Sequence, residues 1–359
     1  MSGNVIPVRL RQWREHLGLT QEDLGKAVGV ARQTIAAWES GETSPTLTQL
    51  FRLARAMTVP LDALLGEPAS DDAAILFRAD DPAALAPELR AAVARKVADY
   101  AEVERLAGET PAVPPACPVE GYDPDQIEEI ARRVRNWLGL DDGPLFDVSW
   151  LETIGIKVIF QDLPDQVSGF SAFNDAWGVA IIVNRRHPGE RQIFTLLHEL
   201  GHAILHRKEF NTAHEASQGR RDPREKAANH FAGAVLLPTS ILVRELRAWQ
   251  GRWLPEPLLL DLKRRYRASM RTILYRAAQA RIISQKQMGQ QIGILNRKYG
   301  EDWEPGQLPP LEEPTRLRKL VFRALADGQI TTSRAAEILG VSVSAIRDEM
   351  AAWLEGPSV

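Results

Sequence analysis

The chain has 359 residues, 44% hydrophobic and 25% charged, with a net charge of −3. That is the composition of a globular protein long enough for two or three domains. No stretch approaches the run of about 20 apolar residues that a membrane helix needs. The N-terminus lacks the apolar core of a signal peptide, and the one cysteine, Cys117, leaves no intrachain disulfide to form. We therefore expect a cytoplasmic chain with no membrane contact. Cys117 also sits in a Pro-rich stretch, which argues against a catalytic thiol.

In chain order, residues 1–66 read as short helices punctuated by turns. Val8, Leu10, Trp13 and Leu17 fall at helical spacing, and Gly18 then breaks the pattern. Thr20 stands three residues before Asp23, the spacing of a capping box, and Gly29 ends that helix. "ARQTIAAWESG" predicts the next helix, and "LTQLFRLARAM" another. Residues 67–120 shift to a helical segment followed by the Pro-rich "ETPAVPPACPVEG", which reads as a linker. Beyond 121, "DQIEEIARRVRNWLGL" is helical in period, whereas "IGIKVIF" and "GVAIIVN" are β-branched runs that predict strands. Helices then dominate to the C-terminus.

The segment "FTLLHELGHAILH" sets polar groups into an apolar helix. Residues four apart on a helix lie about 40° apart around its axis and about 6 Å apart along it. His198 and His202 therefore project from one face, where both reach a zinc ion at about 2.0–2.1 Å. Glu199 is rotated away and stands beside the metal as a base for its water. A catalytic zinc takes three protein ligands and keeps one position open. His206, His214, Glu215, Glu225 and His230 are the candidates for the third. His206 continues the same face but lies about 6 Å further along a straight helix. Glu225 belongs to a separate predicted helix, 23 residues beyond His202, and can approach from another side. Spacing favours Glu225 and leaves the others open.

"RQIFTLLHELGHAILH" followed by "EKAANHFAGAVLLP" resembles the ImmA/IrrE family of zinc metallopeptidases. The similarity covers about residues 120–240 and extends more loosely to 305. It implies His198, His202 and Glu225 as metal ligands and Glu199 as general base, with Asn229 and Phe231 in supporting positions. Leu197 stands where the family usually has Ala. His206, which has a counterpart in many relatives, reads as a group that supports a ligand or faces the substrate, as does Asn229.

Residues 9–66 resemble the Cro/C1-type helix-turn-helix, or XRE family. The resemblance implies a recognition helix near residues 31–39 in the major groove, with Arg32, Gln33 and Thr34 toward base edges and Gln21 at the phosphate or base. Ile35 and Trp38 read as packing residues. Between residues 244 and 298 there are 13 basic side chains against 3 acidic ones. Lys263, Arg264, Arg265, Arg267 and Arg271 cluster there as a candidate nucleic-acid patch, open to single-stranded DNA. "ITTSRAAEILGVSVSAIRDEM" near the C-terminus is a further helix-turn-helix-like segment whose charge is balanced, so a packing or dimerising role is expected.

The expected fold is mainly α with a small β-sheet in the peptidase domain (α+β). The expected domains are a DNA-binding domain at 1–66, a helical segment and linker at 67–120, and a zincin-like peptidase at 121–245. A basic helical region at 246–305 and a C-terminal helical region at 306–359 complete the chain. The expected function is a homodimeric transcriptional regulator with a zinc-dependent endopeptidase domain, manganese being able to replace zinc in vitro. Its partners would be a double-stranded operator and a helix-turn-helix repressor or antitoxin, cleaved to derepress stress or mobile-element genes. The alternative is a transcription factor whose peptidase-like domain serves as a sensor or scaffold.

Overall fold

The computed structural model describes residues 5–57, 64, 77–78, 86–111, 113–140, 142–145, 147–175, 177–207 and 222–355. The chain divides into two compact units, one of residues 1–76 and 83–102, the other of 77–82 and 103–359.

The first unit contains α1 (Val5–His16), α2 (Gln21–Val28), α3 (Arg32–Ser40), α4 (Leu47–Ala56) and most of α5 (Pro87–Leu106). Its helix boundaries follow from local chemistry. Thr20 and Asp23 close a capping box at the start of α2, and Thr46 and Gln49 close another at α4. Gly29 ends α2 in the left-handed region at φ 77°, which turns the chain into α3. Leu10, Leu24, Ile35, Trp38 and Leu53 form the centre of the core.

The second unit is built on a four-stranded sheet. In chain order the strands are β1 (Phe77–Arg78), β2 (Lys157–Gln161), β3 (Gly169–Asn174) and β4 (Gly178–Asn184). Their spatial order is β1-β3-β4-β2. β3 and β4 form an antiparallel hairpin, and β2 runs parallel to β4 with Lys157 opposite Ala180. Every residue of β4 is buried, so its continuous apolar run reflects cover on both faces.

Three helices flank the candidate site: α6 (Pro124–Trp137), α8 (Gly189–Leu205) and α9 (Pro223–Leu236), with the short α7 (Ser149–Thr153) preceding β2. The histidine helix α8 packs on β3 and β4, and α9 packs against both α8 and α6. The close approach of α8 and α9 depends on Gly201. A Cβ there would lie 2.8 Å from the Phe231 ring and 3.5 Å from the Ala228 Cα. Phe231 is fully buried and cannot swing away. Gly201→Ala should therefore destabilise the fold by about 1–3 kcal/mol through overpacking. Urea unfolding measures this, and an unchanged midpoint would show that the crossing is looser than described.

The remaining helices are α10 (Thr239–Leu246), α11 (Glu256–Tyr266), α12 (Met270–Gln279), α13 (Gln285–Tyr299), α14 (Arg316–Ala326), α15 (Thr332–Leu339) and α16 (Val343–Glu355). The overall class is mainly α with a small sheet. Two expectations about boundaries need correction. The Pro-rich stretch is no free linker: the Cys117 N–H donates to the Ile204 carbonyl at 2.9 Å, and Val119 is buried in the second unit's core. Nor does the region 246–311 pack apart from the peptidase core. Leu259, Ile273, Leu295 and Leu311 share one apolar cluster with Leu196 and Phe231.

Candidate metal centre

Helix α8 brings His198 and His202 together, with their Nε2 atoms 3.0 Å apart. The third donor arrives from the first turn of α9. Asp222 caps that helix by accepting from the Arg224 N–H, and Pro223 begins it, so the chain reverses into a helix whose third residue is Glu225. A carboxylate in a first turn also lies in the favourable field of the helix dipole. Glu225 Oε2 is 3.3 Å from His198 Nε2, and Glu225 Oε1 is 3.4 Å from His202 Nε2.

These separations allow a test of fit. Tetrahedral bonds of about 2.0–2.1 Å place ligand atoms about 3.3–3.4 Å apart. The three observed separations fall at or slightly below that edge length, and the donor set of two imidazoles and a carboxylate suits zinc. Among the described residues, His198, His202 and Glu225 are the one group with metal-site geometry. Burial pushes the Glu225 carboxyl up, but the hydrogen bonds of the two imidazoles outweigh this and hold it well below the usual carboxylate range. It is thus ready to act as an anionic donor. His202 is 1% exposed at its side chain, against 10% for His198 and 8% for Glu225. Solvent therefore reaches the cluster from the side of His198 and Glu225.

Neighbouring groups fix the orientation of these side chains. Helix α8 ends at Leu205, and His206, its C-cap, turns its Nδ1 back to within 3.0 Å of His202 Nδ1. With His202 Nε2 given to a metal, its Nδ1–H is the donor in that contact, which sets the tautomer. His206 thus meets His202 and is not among the three convergent donors. The Ser171 hydroxyl donates to Glu199 Oε2 at 2.5 Å. Sequence reading missed Ser171, because its role arises from a match of two periodicities. Alternate residues on a strand advance about 6.8 Å, and residues four apart on a helix about 6 Å. Gly169 accordingly meets Thr195, and Ser171 meets Glu199. The backbone of β1 runs antiparallel beside this strand, with Arg78 opposite Ser171.

The other candidate ligands lie elsewhere. His230 Nε2 faces Glu128 Oε1 at 2.8 Å, and its Nδ1 lies 2.9 Å from the Tyr122 hydroxyl. The buried Arg276 donates to the same Glu128 carboxylate and to the Leu237 carbonyl. Burial pushes Glu128 up, yet His230 and Arg276 bring it down to about 2. His214 and Glu215 lie outside the described residues. Asn229 does not touch the metal donors in any described contact. It lines a cavity of about 450 Å³ together with Phe194, Lys226 and Tyr275. Phe194 is one turn before His198 and Asn229 one turn after Glu225, so this cavity flanks the cluster.

In the first unit, Arg32 and Gln33 are exposed and Thr34 is partly so. Gln21 donates to Glu39 Oε2 at 2.9 Å, and the same carboxylate accepts from Arg14. The structure separates the residues of the candidate nucleic-acid patch. Lys263 is wholly buried between Glu190 and Glu304. Arg265 pairs with Glu245 and Asp261, and Arg271 with Glu304. Arg267 donates to the Pro309 carbonyl at 3.4 Å, which leaves Arg264 as the exposed cation with no described pair.

Fold and site define a helix-turn-helix unit joined to a unit whose HExxH helix meets a carboxylate from a second helix. Comparison with known proteins agrees. Residues 10–64 match the helix-turn-helix family profile, and residues 151–278 match that of the M78 peptidases, described as an IrrE N-terminal-like domain. An HTH-type transcriptional regulator of Methanothermobacter thermautotrophicus is 54% identical over 48 residues, which span 13% of this chain and 70% of the relative. One from Archaeoglobus fulgidus is 39% identical over 56 residues, 16% of this chain and 80% of the relative. A solved Mycobacterium tuberculosis transcriptional regulator shares 18% identity at a TM-score of 0.32. The match covers 51% of this chain and about half, 52%, of that structure, a likeness too slight to bear on the fold. The chain belongs to the helix-turn-helix family and carries an IrrE N-terminal-like domain of the M78 peptidases.

Proposed function

We propose that the protein is a DNA-binding transcriptional regulator whose second unit is a zinc-dependent endopeptidase. The observation that carries the proteolytic reading is the convergence of His198, His202 and Glu225, with a held carboxylate, Glu199, next in sequence to one of them. When bound, a divalent cation supplies Lewis acidity to a substrate carbonyl and makes water more acidic. Glu199 takes the proton from the attacking water and returns it to the departing amine. Ser171 keeps Oε2 of that carboxylate in place, so the base does not need to reorganise during turnover. His206 holds His202, and the flanking cavity beside Phe194 and Asn229 accepts a side chain of the peptide.

The substrate that this reading names is a helix-turn-helix repressor or an antitoxin, whose cleavage releases transcription in the cytoplasm. The first unit would bind an operator as part of a homodimer through Arg32, Gln33 and Thr34, which project from α3. Joining a DNA reader to a peptidase raises the local concentration of the peptidase near operator-bound substrate. Mass spectrometry of repressors from the neighbouring locus, after incubation with zinc-loaded protein, tests this directly. One defined new terminus supports it, and intact repressors throughout would remove it. The second reading is a sensor or scaffold without proteolysis. It predicts that regulation in cells survives loss of the Glu199 carboxylate.

A further inference from the structure

The C-terminal helices repeat the architecture of the N-terminal reading unit. From Thr20 to Ile35 and from Thr331 to Ile346, the two segments run in step. In each, a threonine caps an eight-residue helix, α2 or α15, with its hydroxyl accepting from a backbone N–H three residues on at 3.1 Å. Each helix ends on a glycine in the left-handed region, Gly29 at φ 77° and Gly340 at φ 64°. A valine follows in both cases, and its N–H donates five residues back, at 2.9 Å for Val30 and 3.0 Å for Val341. The third helix starts at Arg32 in one and Val343 in the other, and each anchors a wholly buried isoleucine, Ile35 or Ile346. Ahead of the repeat, α1 and α14 close on Gly18 and Gly328, both at positive φ.

Balanced charge pointed to packing for this segment, but charge does not separate the two copies. Residues 5–40 hold five basic and four acidic side chains, and residues 316–351 hold six and four. Ser344, Arg347, Asp348 and Ala351 lie at i, i+3, i+4 and i+7 on α16, and all four are exposed, so this face is open to a partner. Their counterparts in α3 are Gln33, Ala36, Ala37 and Ser40. Arg347 and Asp348 are side chains that read guanine and cytosine edges. The module is also firmly mounted. Glu152 accepts from the Thr315 and Arg316 N–H groups at the start of α14, and the Arg316 side chain pairs with the buried Glu104.

We propose that residues 316–355 form a second helix-turn-helix, one that binds double-stranded DNA with α16 in the major groove. The chain then reads two sequence elements, one through α3 and one through α16. Ser344 and Arg347 contribute to the second element, and Arg347 sets a guanine within it.

Selection of bound duplexes from a random-sequence pool by the full-length protein tests the proposal. Two enriched elements are expected. Arg347→Ala should weaken binding to the second element about tenfold and relax its guanine, leaving the first intact. Gln33→Ala should do the converse. Arg347 is exposed, and circular dichroism of the variant checks that the fold persists. A single element unaffected by Arg347→Ala would overturn the proposal. So would a change in oligomeric state on that substitution with DNA selection unaltered, since α16 would then dock a second copy of the chain.

Discussion

Glu199→Gln should retain bound zinc and lose substrate cleavage by about 10²–10⁴-fold. The amide matches the carboxylate in shape and can still meet Ser171, but it cannot take a proton from water. The three metal donors are left untouched, because Glu199 is not among them. Fragment yield from a cleaved repressor gives the first quantity, and metal content of the purified variant gives the second. Cleavage retained at the wild-type rate would assign the base to another group. Loss of metal together with activity would place Glu199 inside the coordination sphere.

Glu128→Gln should cost about 3 kcal/mol of stability at neutral pH, at the low end for a broken buried pair, because Glu128 is 32% exposed at its side chain. The substitution leaves Arg276, 1% exposed at its side chain, facing a neutral amide, and it removes the carboxylate partner of His230. The effect should depend on pH in a definite direction. Glu128 is lowered from 4.5 to about 2 in the folded chain. A depressed carboxyl stabilises the fold fully above its unfolded value and loses that contribution as pH falls through its folded value. The gap between wild type and variant should therefore be full above about pH 5 and shrink as pH falls toward 2. Chemical denaturation at several pH values measures it. A gap that stays constant down to pH 2 would show that the ion pair is not the source of the stability.

Several parts of the site were legible in the sequence because they rest on spacing along one helix. His198, Glu199 and His202 are of this kind. Glu225 was legible as a candidate because a separate predicted helix, 23 residues beyond His202, put it at a workable distance. For His206 the resemblance implied a supporting or substrate-facing place, but its contact with His202 was not legible, since it depends on α8 ending at Leu205 so that the ring can fold back. Ser171 was hidden for a different reason. Nothing in "GFSAF" marks the serine, and only the register of β3 on α8 brings it to Glu199.

The basic block shows how a local charge count can mislead. Residues 244–298 carry a large positive excess, yet acids outside that window meet part of it. Glu128, Glu190 and Glu304 reach Arg276, Lys263 and Arg271 from distant parts of the chain. A window of sequence records charge, whereas partners are set by the tertiary fold. The Pro-rich stretch misled in the same way, because its composition resembles a linker while Cys117 and Val119 pack on the second unit.

Calorimetric titration of metal-free protein with zinc tests the account at its centre. One equivalent should bind to each wild-type chain, and Glu225→Ala should abolish tight binding. A wild-type chain that takes up no zinc, or a Glu225→Ala chain that binds it unchanged, would contradict the assignment of these three side chains to one metal.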